Sequence, residues 1–303
     1  MYMKICSTFF KSSIPNYLIL RTITLQSTKY SSNPPLYVSS NKNQRHNAWT
    51  VIDEFSDELR KISGKCMDIG CGPGDITNDI ILPALHPNAV IIGTDISEDM
   101  IKYARKTYSK EKQLDFDVLD IQTKELPAKY ISEFDHIFSF HALHWCFDIK
   151  QAFKNIYRML RPNGTMLVLV VSLHPICKVI QETIQDNRFA PYIKDVNISP
   201  VWPFQDSVNP NRELKGLLKE IGFKIDHCSH RNVYHFDDNS DQFLSSILAF
   251  LEFIDNIPHD QKEIFKKEIA RKFTETQISF KRSSDNKTVI LNVYNLLIAF
   301  AKK

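Results

Sequence analysis

Residues 66–74 read Cys66-Met67-Asp68-Ile69-Gly70-Cys71-Gly72-Pro73-Gly74, so three of the eight glycines fall within five positions. Glycine lets the backbone take a positive φ and lets another group approach without a Cβ in the way. An apolar, strand-like run leads into the turn. A helical spacing of Ile76, Ile80, Ile81, Ala84 and Leu85 follows it from Asp75. Strand, glycine turn and helix in that order present backbone amides to a nucleotide-type ligand. A second apolar run, 89–94, ends in Asp95 about twenty residues further on. A carboxylate there can accept both hydroxyls of a ribose.

The spacing discriminates between ligands. A dinucleotide fingerprint reads GxGxxG, whereas this chain reads DxGxGxG, with Asp75 in place of the third glycine. The acid two residues before the first glycine, Asp68, points to S-adenosylmethionine rather than to a nicotinamide dinucleotide. A tight strand-helix turn without a ligand is the structural alternative.

From Leu36 the pattern is a continuous alternation. A helical lead-in (about 43–62) precedes strand 65–69, and strand two ends at Asp95. Ser97 is placed to cap the next helix. Leu114 to Val118 reads as a third strand leading to Asp120 and Ile121. Phe134 to Phe140 reads as a fourth, followed by His141-Ala142-Leu143-His144-Trp145. A helix (about 149–160) ends at Arg161-Pro162-Asn163-Gly164, a stop signal. Thr165 to Ser172 is an unbroken apolar run of the kind buried on both faces of a parallel sheet. Strands alternating with helices argue a doubly wound α/β fold. The last third is less regular. It carries a proline-bearing stretch (174–206), helix 211–221, strand Phe223 to Phe236, an apolar helix over 243–254, a charged helix (259–275) and a final strand near Val293 to Ala301.

Composition narrows the partners. At 303 residues with 43% apolar and 24% charged content, the chain suits one large α/β domain or two small ones. A net charge of +3 exerts no strong pull toward nucleic acid. The basic cluster Lys266-Lys267 with Arg271-Lys272 is interleaved with Glu263 and Glu268, as on a solvated helix face. Six cysteines lie scattered without a CxxC, which argues against a zinc site or a disulfide framework and fits a reducing compartment. Apolar runs such as Met166 to Val171 fall far short of the roughly 20 residues that span a bilayer, so no stable membrane insertion is expected. Residues 1–35 carry no acidic residue but are rich in Ser, Thr and aromatics, with a break at Asn33-Pro34-Pro35. They read as a disordered extension or a mitochondrial targeting segment ahead of a cytoplasmic-type domain at 36–303.

With Asp95 closing strand two, Asp120 after strand three and Arg161-Pro162-Asn163-Gly164 before strand five, the chain resembles a class I S-adenosylmethionine-dependent methyltransferase. A narrower likeness rests on Pro35-Leu36-Tyr37-Val38, Ser40-Asn41, Gln44-Arg45, Leu82-Pro83, Phe134-Asp135-His136-Ile137, Ser139-Phe140, Leu143-His144-Trp145, Asn155-Ile156-Tyr157 and Ala190-Pro191-Tyr192. Together these resemble the juvenile hormone acid O-methyltransferase family over about residues 35–303. That family esterifies the carboxylate of farnesoic acid and its epoxide. The chain departs from it in His141-Ala142, where Tyr-Cys is more usual, and in its long N-terminus.

The resemblance implies a Rossmann-like, seven-stranded, mostly parallel sheet with an antiparallel last strand and helical cap insertions. On the cofactor side it implies Asp68, Gly70, Cys71 and Gly72 in the loop, Asp95 on the ribose, and Ile96 and Met100 beside the adenine. Asp120 and Ile121 would meet the adenine edge, with Phe140 completing the site. Read by itself, Asp120 is equally a turn-forming Asp. A carboxylate substrate has a pKa near ~4.3 and is already ionised at neutral pH, so no general base is needed. By resemblance, the Gln44 amide and the Trp145 indole N–H aim that carboxylate. Read by themselves, they are a surface polar residue and a core aromatic. His141 and His144 form HxxH, but no Asp, Glu or Cys stands nearby at ligand spacing, so a pocket wall is expected rather than a metal. Ile176, Val179, Ile180, Phe189, Trp202 and Phe204, with the apolar helix, are expected to line a channel for a hydrophobic tail. Ordinary core is the plain alternative. The expected partner is a small hydrophobic carboxylic acid, bound by a monomer or homodimer. Another small acid, a phenol, an amine or an inactive cofactor-binding regulatory role are the alternatives.

Residues 1–35 are expected to be dispensable, because the fold's own lead-in begins near Leu36. A chain beginning at Ser32 should retain methyl transfer, measured with labelled S-adenosylmethionine. Loss of all activity in a folded protein would show the boundary to be wrong.

Overall fold

The computed structural model describes residues 33–193, 202–237, 241–248 and 251–303. Most of the extension and residues Ala249 and Phe250 of the expected apolar helix lie outside the described residues. The chain enters through α1 (Pro34–Ser40), α2 (Lys42–Glu54) and α3 (Ser56–Leu59). Then follow β1 (Lys65–Ile69), a helix that includes α4 (Leu82–Ala84), β2 (Val90–Asp95), α5 (Glu98–Thr107), β3 (Leu114–Val118), β4 (Phe134–Phe140), α6 (Ile149–Met159) and β5 (Leu160–Leu173). The remainder is α7 (Pro175–Ile184), α8 (Ala190–Ile193), α9 (Pro210–Ile221), β6 (Lys224–Asp237), α10 (Asp241–Leu248), α11 (His259–Glu275), β7 (Ile278–Lys281) and β8 (Thr288–Lys302).

The strands form one sheet in the order β3-β2-β1-β4-β5-β8-β6, with β7 paired to β8. The β1–β5 pairings are parallel, while β8 runs antiparallel to β5, β6 and β7. This is the expected sheet with one short strand added. Two apolar clusters cover its faces. One packs Phe153 and Ile156 of α6 and Leu214 and Leu218 of α9 under the sheet. The other packs Ala48, Val51 and Ile52 of α2 with Ile76 and Ile81 on the opposite face. The chain therefore leaves β1 toward one face and leaves β4, its neighbour, toward the other. The carboxyl ends of β1 and β4 open a crevice at that reversal. Among the described residues, no helix is long and apolar enough to cross a membrane.

Several local expectations change. Asn33-Pro34-Pro35, read as a break, is a helix start: the Asn33 side chain accepts from Leu36 N at 3.1 Å and Pro34 occupies the first turn. The helix after the glycine turn widens into a π-helix over Thr77–Ile81. Pro83 follows directly; its ring would strike the carbonyl of residue 79 in a regular α-helix, and the wider turn relieves that clash. The stop signal at 161–164 becomes a kink inside β5, with Asn163 at φ 69°. The helix expected over 243–254 is divided: α10 ends at Leu248 and a separate 3-10 helix spans Glu252–Asn256. A single helix apolar all round would need cover on every side. Two segments let Leu244 and Ile247 pack in the cap while the Phe253 ring meets Phe265 at 5.8 Å. The last expectation missed β7, whose run 278–281 is too short and exposed to carry a periodic signal.

One buried amide ties the loop after β3 to α6. Asn155, fully buried, donates through Nδ2 to the carbonyls of Ile121 and Thr123, each at 2.7 Å. Asn155→Ala leaves both carbonyls without that donor and should lower stability by roughly 2–4 kcal/mol. Urea unfolding of the two proteins checks this; an unchanged midpoint would refute the tie.

Candidate active site

The glycine turn is fixed from two sides. Gly70 N and Cys71 N donate to the Thr94 carbonyl at 2.7 and 3.0 Å, stitching the turn to the end of β2. Gly70 stands at φ 72°, and a Cβ built on it would lie 2.0 Å from the Ala142 Cβ. The loops after β1 and β4 therefore touch, and only glycine permits it. Gly72, at φ 54°, donates its N–H to Asp95 Oδ2 at 2.9 Å, while Ser97 N donates to Oδ1 at 2.9 Å. Burial raises the Asp95 carboxyl, and the amides of Ser97, Gly72 and Ile96 pull it back. Asp68, buried beneath the turn, accepts from Thr77 Oγ1 at 2.6 Å. Burial pushes its carboxyl up to about 7, against the pull of Thr77 and with the help of the negative Asp95 and Asp75.

The N-terminal helices close over this turn. Tyr37 of α1 lies with Cε1 3.8 Å from where a Cβ on Gly72 would sit. Its phenol is pushed upward by burial and by Asp75, Asp95 and Asp68. Asp75 Oδ2 accepts from Asn41 Nδ2 at 2.9 Å and from the Arg45 guanidinium at 2.6 Å, and Arg45 also reaches Asp79 at 2.9 Å. Tyr37, Asn41 and Arg45 belong to the segment that carries the family likeness. Tyr37 lies on α1, Arg45 on α2 and Asn41 at the junction between the two helices.

At the other end of the crevice, Asn47 of α2 lies buried one turn beyond Gln44. Asn47 Nδ2 donates to Tyr294 Oη at 2.8 Å and stands 3.2 Å from His141 Nε2. His141 holds φ 54°, a left-handed conformation uncommon outside glycine, at the end of β4. Past it, a 3-10 turn, Leu143–Trp145, presents half-buried Trp145. The Trp145 ring lies 5.4 Å from His144 and 5.3 Å from Trp202. Trp202, at φ 82°, donates its N–H to the His144 carbonyl at 2.8 Å. Burial lowers His141 to about 4 and His174 to about 3, and carries His144 well below the usual histidine range, so all three are neutral. Trp145 packs on an apolar cluster containing Ile176, Ile180, Trp202, Leu244, Ile247 and Phe265.

The structure thus brings the glycine turn, Asp68 and Asp95 to one end of the crevice. At the other it gathers Trp145, His141, His144, Ile176, Ile180 and Trp202. Cys71 is buried against Ile101, Ala104 and Phe116, so it offers its backbone and not its thiol. Met100 is buried, Ile96 half-buried, and Ile121 packs under the sheet with α6. Asp120 closes a turn after β3 by accepting from Gln122 N at 2.8 Å through Oδ1. Phe140 packs into the core cluster beside α2, its ring 6.2 Å from Phe138. Phe204, expected in the channel wall, packs instead under the sheet with α9.

Among the described residues, four buried polar atoms, Asn41 Oδ1, Gln44 Oε1, Asp75 Oδ1 and His144 Nδ1, have no hydrogen-bonding partner. Buried polar atoms are seldom left so; His136 Nε2 and Gln277 Oε1 share that state elsewhere in the fold. Two carboxylates able to take hydroxyl and ammonium protons, and amides at the start of a helix, fit S-adenosylmethionine.

Comparison with known proteins agrees. The family profile described as a methyltransferase domain matches residues 67–166. The juvenile hormone acid O-methyltransferase of Bombyx mori is 32% identical over 237 residues, covering 77% of this chain and 83% of its own length. That of Drosophila melanogaster is 29% identical over 272 residues, 88% of this chain and 91% of its own. A Bacillus halodurans structure assigned to the methyltransferases superposes with TM-score 0.52 at 14% identity, over 83% of this chain and 98% of that one, which shows the fold alone.

The raised Asp68 carboxyl generates a pH prediction. Its folded value, about 7, exceeds the ordinary 3.8, so as pH rises between them the folded protein retains a proton that the unfolded chain releases. This group therefore weakens folding progressively across that window. A cationic ammonium bound beside it would favour the ionised form and expel the proton. S-adenosylmethionine should bind with proton release near pH 7, and its affinity should weaken below that. Calorimetry in buffers of differing ionisation enthalpy checks this: Asp68→Asn should abolish the buffer dependence, and a wild type without it would refute the coupling.

Proposed function

Because this chain belongs to the juvenile hormone acid O-methyltransferase family, and is an S-adenosylmethionine-dependent methyltransferase, we propose that it esterifies the carboxylate of a hydrophobic isoprenoid acid of the farnesoic acid type. The observation that carries this reading is the surroundings of Trp145. Its indole stands between neutral, buried His144 and an apolar cap, with Trp202 against it.

S-adenosylmethionine supplies a methyl group on a sulfonium, which an ionised carboxylate oxygen can take without proton transfer. The protein's work is positioning and exclusion of water. Gln44 and Trp145 are assigned as the two neutral N–H donors that aim the carboxylate. Neutral donors suit this task, since a guanidinium would hold the attacking lone pairs in tight bidentate bonds. Arg45, the arginine beside Gln44 in sequence, is committed to Asp75 and Asp79. The three pocket histidines are uncharged, so they add no cation. The cap built on α7, α10 and α11 is assigned to the apolar tail, with Ile176, Ile180 and Trp202 in its wall. Asp95 is assigned to the ribose and Asp68 to the ammonium. Residues 36–303 form the catalytic domain in this reading.

Labelled cofactor offered with isoprenoid, fatty and dicarboxylic acids tests the acceptor class. Gln44→Ala and Trp145→Phe should each cut kcat/KM for farnesoic acid by one to two orders of magnitude, corresponding to roughly 1.5–3 kcal/mol of bonding to a charged group. Cofactor affinity should stay nearly unchanged. A Gln44→Ala protein with full activity on every acid would overturn the carboxylate clamp.

A further inference from the structure

Asn47 has no part in cofactor or substrate contact as assigned above, yet it joins the supports of both carboxylate donors. It sits on α2 three residues after Gln44, on the same inward face as Ala48 and Val51. Its Nδ2 carries two hydrogens. One goes to Tyr294 Oη of β8 at 2.8 Å, and His141 Nε2, at the end of β4, lies 3.2 Å away. His141 leads within four residues to Trp145. Tyr294 in turn lies against His174, ring centroids 5.2 Å apart, and His174 caps α7 by accepting from Ile176 N at 3.2 Å. One buried amide thus touches the element bearing Gln44, the strand end bearing Trp145, and the strand that abuts the head of the cap.

Apolar packing holds α2 against the sheet but sets no direction, because dispersion is indifferent to small slides. A buried amide has fixed bond directions and a penalty for leaving them unmet. We infer that Asn47 is a positioning residue that sets the separation of Gln44 from Trp145, and so fits the clamp to a planar carboxylate. The inference rests on the carboxylate-clamp reading. The Arg45–Asp75 pair and the α2 core residues remain without it, so the fold and the cofactor end should persist.

The test uses the full chain with farnesoic acid and labelled cofactor. Asn47→Ala should lower kcat/KM for the acid about tenfold, with S-adenosylmethionine affinity within about twofold of wild type. Tyr294→Phe, which keeps the ring and removes only the hydroxyl, should act in the same direction and guards against a misfolded Asn47 variant. The decisive measurement is the double variant. Asn47→Ala added to Gln44→Ala should cost little more than Gln44→Ala alone, since there is then no Gln44 donor whose separation from Trp145 can be set. Losses that multiply, or a fall in cofactor affinity matching the fall in turnover, would show a merely structural role and overturn the inference. Full activity in Gln44→Ala alone would instead overturn the clamp reading, so the two failures are told apart.

Discussion

The contact between the loops after β1 and β4 is the constraint on which the site depends. A Cβ on Gly70 would lie 2.0 Å from that of Ala142, so the two loops meet only because one residue has no side chain. The approach sets the width of the crevice at the reversal of strand order. On one side it places the Gly72 amide on Asp95, and on the other it brings His141 and the Trp145 turn to the same opening. The left-handed conformations of Gly70, Gly72 and His141 are the local means of turning the chain sharply at both strand ends. Residues held in such regions cluster where a ligand must be met.

The two ends of the crevice differ in charge, and the difference suits their assigned tasks. The cofactor end holds Asp68, Asp75 and Asp95, with Arg45 and Asn41 gathering Asp75 toward the N-terminal helices. These helices are also the covering of the glycine turn, through Tyr37. The acceptor end is built from neutral groups: three histidines kept uncharged by burial, two indoles and an apolar cap. An anionic acceptor in such a pocket meets donors without a compensating cation, and its lone pairs stay available.

Much of the frame was legible because its signals are local. The boundaries of β1, β3 and β4, the helix 259–275, the Ser97 cap and the acid closing strand two all follow from periodicity and turn chemistry within a few residues. Elements that depend on distant partners were read less well. The apolar run over 243–254 has helical composition, but its division follows from what Phe253 and Leu244 each pack against. The short strand Ile278–Lys281 exists because β8 extends past β5 and offers it an edge. Among site residues, Asp68, Asp95 and the glycines announced themselves by spacing, whereas Asn47 and Tyr294 carried no signal beyond composition.

The sequence by itself determined the strand-turn-helix unit, the acid that follows it and the alternation that makes a doubly wound sheet. These are short-range matters of φ, side-chain period and capping, and the chain states them residue by residue. Only the tertiary structure decided that α1 and α2 fold back over the glycine turn. It also decided that Cys71 and Phe140 face the core, and that a buried amide links α2 to residues 141 and 294. The last of these depends on contacts across 94 and 247 positions of chain, and the fold-back of the helices on contacts across 30 and 34. No local propensity encodes such contacts, and they form only when the two faces of the sheet are covered.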